Sequence, residues 1–308
     1  MSPSNPLRYE QPVAAKALSR RAVLRVLCGA LPALGLSCAT AKTPFVGLPV
    51  KNSIRSDQLL IVSDIKLPKD HPLIADLKML RRQVSEELEL PLGSKPVTVY
   101  LFTNETEYTQ YLHATFPGYP PRRAYFIQTP GKDLAVYTWW GDRIQEDLRH
   151  EFTHGLLHAS LEGVPLWLDE GLAEYFEVVG YPGSINVEHA QLLAKEVHNG
   201  WRPNLDQLEK LEKVEQMKRP HYREAWAWVH YMLHGSPETR QVMLNYIHEL
   251  RTNANPGLLH ERLLIDNPDA DLRLLSYIAS MNVPAAVFNP AGGPVHRAAM
   301  YHGATGQR

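Results

Sequence analysis

The sequence predicts an α+β protein in which a small α/β lobe with a mostly antiparallel sheet (about residues 56 to 140) packs on a helical lobe (about 141 to 281). Three observations predict it. Strand-length apolar runs with period-two alternation, such as "PVTVYLF" (Pro96 to Phe102), cluster before Trp140. Apolar residues at intervals of three and four dominate the chain after it. Hydrophobic residues make up 44% of the 308, an ordinary share for a protein with a core of its own.

The elements follow in order. "QLLIVSDI" (Gln58 to Ile65) is a compact apolar run of strand length. Leu73, Leu77, Leu80, Val84 and Leu88 then mark one face of a helix, with Pro72 in its first turn and Pro91 closing it. After the "PVTVYLF" strand, Asn104 and Glu107 spell a capping box for a short helix carrying Tyr108, Tyr111 and Leu112. "RAYFIQTPGKDLAVYTWW" (Arg123 to Trp140) reads as a β-hairpin turning at "TPGKD". Its second strand is expected at the outer edge of the sheet, where an extended peptide could pair with it. Helical spacing then covers Asp142 to Leu161, Leu166 to Val178, Asn186 to His198, Leu205 to Met217, Tyr222 to Leu233, Pro237 to Arg251 and Asp271 to Ser280. No internal repeat or heptad run is present.

The ends are expected to serve other purposes. Residues 1–41 read as an export signal: "SRRAVLR" (Ser19 to Arg25) resembles a twin-arginine signal, and the apolar "VLCGALPALGL" after it is too short to span a membrane. Two processing outcomes stay open. "ATA" (Ala39 to Ala41) suits a signal peptidase and release to the periplasm or the medium, while "GLSC" ending at Cys38 loosely resembles a lipoprotein box and implies a lipid anchor. Residues 42–55 read as a linker, and the Pro-, Gly- and Ala-rich stretch 282–308 as a mobile tail. Because Cys28 and Cys38 are the two cysteines, the region 56–281 cannot form a disulfide. With 32 basic and 33 acidic residues the net charge is -1, so no global field draws the chain to nucleic acid or to an anionic membrane.

The chemistry concentrates in "HEFTHGLLHASLEGVPLWLDEGLAEYFE" (His150 to Glu177). On a helix His150 and His154 project from one face a turn apart, near enough for both imidazoles to reach one ion. With Glu151 they match H-E-x-x-H, in which two histidines bind Zn2+ and the glutamate takes the proton of a zinc-activated water. Asp142 and Gln145 are expected to cap this helix. A catalytic zinc needs a third protein ligand and an open position. Glu170, fifteen residues beyond His154, is the natural candidate, since the "EGVP" turn can bring a second helix back to the first. Gly171 is expected to let that helix approach the histidine helix closely. Asp169, about 100° round the helix from Glu170, is expected to face away from the metal, and His158, a turn beyond His154, reads as a packed or surface histidine.

These residues resemble the gluzincin metallopeptidases, a group that includes thermolysin and the aminopeptidase-N-like enzymes and pairs HExxH with a glutamate on the next helix, in the aminopeptidases within "WLNEG", much like Trp167 to Gly171. The likeness is greatest to gluzincin-like domains of unknown function in exported bacterial proteins. It implies a thermolysin-like fold, one zinc held by His150, His154 and Glu170, Glu151 as general base, and peptide or protein substrates. It also implies that Glu174 orients a ligand histidine and that Tyr222 donates to the oxyanion, with His221 and His230 as alternatives. The aminopeptidases space the second histidine and the glutamate further apart, and no G-x-M-E-N motif is present, so the expectation is an endopeptidase. The alternative is a catalytically silent binding protein of the cell envelope with the same fold.

Overall fold

The computed structural model describes residues 46–129, 133–180 and 183–281. The predicted export signal with both cysteines, part of the "TPGKD" turn and the predicted tail lie outside the described residues. Within them, five strands form one sheet: β1 (Asn52–Ser56), β2 (Leu59–Ser63), β3 (Val97–Phe102), β4 (Ala124–Gln128) and β5 (Leu134–Trp139), in the order β1-β2-β3-β5-β4. The helices are α1 (Pro72–Glu87), α2 (Glu105–Thr115), α3 (Ile144–His158), α4 (Leu166–Glu177), α5 (Val187–His198), α6 (Leu205–Glu209), α7 (Arg219–His234), α8 (Pro237–Glu249), α9 (Leu259–Asp266) and α10 (Ala270–Ser280).

The class is α+β as expected, but the sheet is mixed rather than mostly antiparallel. β1/β2 and β4/β5 are antiparallel, while β2/β3 and β3/β5 are parallel. The reason lies in the connections: α1 carries the chain from β2 back to the start of β3, and a helical crossover makes the next strand parallel. A second difference follows. β5, expected at the edge, is interior, and β4 is the edge strand. Five of the six β5 residues are buried, which is the pattern of a strand covered on both faces. β1 begins inside the stretch read as a linker; Ile54 is its one apolar residue, so it offers no hydrophobic run to detect.

The sheet separates two apolar layers. Leu59, Ile61, Val97, Val99, Leu101, Leu134 and Val136 belong to the main core with Leu77, Leu80 and Val84 of α1 and Phe152 and Leu156 of α3. The opposite face sets Phe102, Tyr125, Ile127 and Tyr137 against Tyr108, Tyr111 and Leu112 of α2. Asn104 caps α2 as expected, accepting the Glu107 N–H at 3.0 Å. Residues 205–217 give α6 and a separate 3₁₀ turn instead of one helix.

Two glycines and an arginine set the helices that carry the site. A Cβ on Gly155 would lie 2.5 Å from Cγ1 of Val97, so its absence lets α3 lie directly on β3. A Cβ on Gly171 would lie 2.8 Å from the Ala225 carbonyl oxygen, so this glycine admits α7 to α4 rather than α4 to α3 as expected. Arg149, fully buried, reaches Asp76 Oδ1 of α1 at 3.0 Å and donates to the carbonyls of Phe176 (2.9 Å) and Val178 (3.2 Å) at the end of α4. It thereby ties α1, α3 and α4 together and satisfies carbonyls that a helix end leaves unpaired. No helix among the described residues is long and apolar enough to cross a membrane.

Candidate metal centre

α3 starts at Ile144 after Arg143, and no side chain caps it, so the expected Asp142–Gln145 box does not form. The Ile144 N–H instead bonds the Gly141 carbonyl at 3.1 Å, and Glu146 and Asp147 supply the negative charge that suits a helix N-terminus. One and two turns further on, His150 and His154 emerge on the side of α3 that meets α4. Nε2 of His150 lies 3.5 Å and Nε2 of His154 3.7 Å from Oε2 of Glu170. Donor atoms of the three residues all lie within 4.8 Å of one another.

The far nitrogens of the imidazoles are held as well. Nδ1 of His150 lies 3.1 Å from Glu177 Oε2, and Nδ1 of His154 lies 2.9 Å from Asp169 Oδ1. The hydrogen bond to Glu177 places the His150 proton on Nδ1 and leaves its Nε2 lone pair for a metal, whereas Asp169 lies close to His154 Nδ1 without the alignment of a hydrogen bond. The set is chemically fit for Zn2+: two imidazoles, each of which gives up a proton to bind a metal, and a carboxylate, with a further acid beside each histidine. Burial works against a charged His150, yet hydrogen bonds to Glu170 and Glu177 raise its pKa well above the ordinary value. The same negative field favours a divalent cation between these side chains.

Asp169 is more than expected. Its other oxygen lies 2.9 Å from His158 Nε2, and His158 Nδ1 lies 2.9 Å from Gln128 Oε1. His158 is thus tied through Asp169 to His154 and is not a bystander. Burial would raise the Asp169 pKa, but the two histidines hold it well below the usual carboxylate range. Glu174 lies 2.8 Å from His189 Nε2 of α5 and, with Glu177, has an oxygen within 4.8 Å of a His150 nitrogen, while Glu177, one turn on, makes the hydrogen bond to that histidine.

Glu151 points to the edge strand, where its Oε2 accepts the Phe126 N–H at 2.6 Å. It lines a cleft of about 830 Å³ together with His150, Glu170 and Tyr222. Tyr222 hydrogen-bonds the guanidinium of Arg122. Burial, with Glu170 nearby, pushes its phenol up to about 12, so it is a proton donor at neutral pH. The alternatives to Tyr222 are turned elsewhere. His221 Nδ1 accepts the Lys218 N–H at 3.1 Å, and His230 is buried between Tyr277 and Gly183.

No family model matches the chain, and a search of curated proteins finds no match. The site itself carries the functional reading. Sequence reasoning missed Asp169 and Glu177 as partners of the histidines, and Arg122 and Arg149 altogether. Glu177 had a signal, since it stands seven residues after Glu170 and so returns to the same helix face.

Proposed function

We propose that this protein is a zinc-dependent peptidase of the gluzincin type, with a thermolysin-like division into two lobes, acting as an endopeptidase on peptide or protein substrates. The observation that carries the reading is the convergence of His150 Nε2, His154 Nε2 and Glu170 Oε2 at a cleft that His150, Glu151 and Glu170 line. Zinc held by these three would supply Lewis-acid activation of a water and of the scissile carbonyl.

The chain's own groups would do the rest. Glu151 takes a proton from the attacking water and delivers it to the leaving amine. The short bond from the Phe126 N–H fixes its carboxylate while leaving its other oxygen available. The Tyr222 hydroxyl, accepting from Arg122, keeps its own proton to donate to the developing oxyanion. β4 is the edge strand and its first residue, Ala124, lines the cleft, which supports docking of an extended peptide along this strand rather than along β5. The "SRRAVLR" stretch supports export, with release or a lipid anchor at Cys38 as the two outcomes.

The test is digestion of a peptide library by the zinc-loaded protein and by Glu151→Gln. The reading predicts internal cleavage, abolished by a chelator, and a variant that keeps its zinc but loses on the order of 10² to 10⁴ in turnover. A zinc-loaded wild type that cleaves nothing would leave the silent binding protein.

A further inference from the structure

Five arginines line the cleft, and they are of two kinds. Arg123 pairs with Asp147, Arg143 with Glu146 and Arg223 with Glu196. Arg122 and Arg219 form no ion pair among the described residues, although both are exposed on the cleft wall. Arg122 hydrogen-bonds Tyr222, and Arg219 stands one turn before Tyr222 on α7.

Arg122 is held from several sides. Its carbonyl accepts the Tyr108 hydroxyl at 2.9 Å, its guanidinium lies 5.6 Å from the centre of the Tyr125 ring, and it hydrogen-bonds Tyr222. A guanidinium presents five N–H donors in a planar fork, and one phenol cannot satisfy them. Arg219 opens α7, one turn before Tyr222. The first turn of α7 contains no acid, so the positive end of the helix adds to the arginine's charge instead of being neutralised. Of the acids that line the cleft, Glu177 and Glu170 are engaged with His150, Glu174 with His189 and Glu151 with the Phe126 N–H, while Glu188 forms no ion pair among the described residues. Among the described residues neither arginine is within ion-pair distance of an acid, although Arg122 also feels the charge of Glu170.

We propose that Arg122 and Arg219 bind a carboxylate of the substrate, beside the bond that is cut. This rests on the peptidase reading and adds to it the class of substrate. A carboxylate fits the fork of Arg122 through two parallel hydrogen bonds. It can come from the free C-terminus of a peptide, which confines cutting to positions near that end, or from an aspartate or glutamate side chain, which directs internal cutting to acidic sequences.

Four versions of one fluorescent peptide separate these sources: free acid or amide at the C-terminus, each with an internal glutamate or glutamine. Affinity is measured by anisotropy on zinc-loaded Glu151→Gln, which holds substrate without turning it over. One acid/amide pair should differ at least about tenfold, and the pair that differs identifies the source. Adding Arg122→Gln should bring the ratio to about one. Arg219→Gln should lower it too, and because this residue is exposed in a first helical turn, it keeps the test usable if Arg122→Gln does not fold. Equal binding of all four peptides, or a ratio that survives both substitutions, overturns the proposal. Wild-type digestion of the same peptides separates the two claims. Selective binding without cleavage sustains the carboxylate site and sinks the peptidase; cleavage of acid and amide forms with equal kcat/KM does the reverse.

Discussion

Nδ1 of His154 lies 2.9 Å from Oδ1 of Asp169, the residue immediately before the carboxylate that faces the same imidazole's other nitrogen. Two neighbouring acids on α4 therefore flank one histidine on both sides. Asp169→Ala is predicted to weaken zinc binding by about 10 to 100-fold, as loss of an acid behind a ligand histidine does. This reverses the expectation from helical rotation that Asp169 is neutral to binding. Competition of the apo-protein against a zinc-sensitive dye measures it, and wild-type affinity would show that the contact has no bearing on the metal.

Glu174 and Glu177 should separate by what they lose. Glu177 backs His150, so Glu177→Ala should cost about 10 to 100-fold in zinc affinity. Glu174 joins α4 to His189 of α5, so Glu174→Ala should lower the melting temperature with a smaller change in affinity. Zinc titration and thermal melts of both variants are the check, and the opposite pattern would return the histidine-orienting role to Glu174.

Gly171→Ala should destabilise the protein by about 1 to 3 kcal/mol. The added methyl would meet backbone as well as side chain, 2.8 Å from the Ala225 carbonyl oxygen and 2.9 Å from Cγ2 of Val229, so α4 and α7 must part. A denaturant midpoint equal to that of the parent would mean that the two helices can shift freely.

Stability should depend on pH through Glu224. Burial raises its carboxyl from 4.5 to about 7, aided by Asp271 and Glu196, although the Asn204 N–H donates to it at 2.6 Å. The folded state therefore holds this proton more tightly than the unfolded chain. The resulting contribution is complete below about pH 4.5 and is lost as pH rises through about 7. His230 runs the other way: burial lowers it to about 4, so its contribution is present above 6.5 and lost as pH falls through about 4. Subtracting parent from Glu224→Gln isolates the first group. The variant should gain stability relative to the parent between pH 5 and 8, by an amount on the order of 1 to 3 kcal/mol. A difference that is flat with pH would contradict it.

Local patterns were legible and long-range pairing was not. The leucine spacing of α1 and the H-E-x-x-H of α3 announce their helices because periodicity is a property of consecutive residues. Nothing in "DLAVYTWW" says that β3 rather than solvent lies beside it, so its pattern suits an edge strand although β4 holds the edge. Ligand positions are legible for a related reason: His150, His154 and Glu170 follow from helix geometry and a turn. The acids behind the histidines do not, because an imidazole has two nitrogens on opposite sides and helical rotation alone does not say which one a neighbouring acid meets. Arg122 precedes β4 in a loop and belongs to no periodic pattern.

The most direct test of the central claim is zinc titration into apo-protein, wild type beside Glu170→Ala. Wild type is predicted to take up about one zinc per chain and the variant to lose most of its affinity, since two histidines alone make an incomplete site. No zinc in the wild type, or wild-type affinity in Glu170→Ala, would contradict the centre formed by His150, His154 and Glu170.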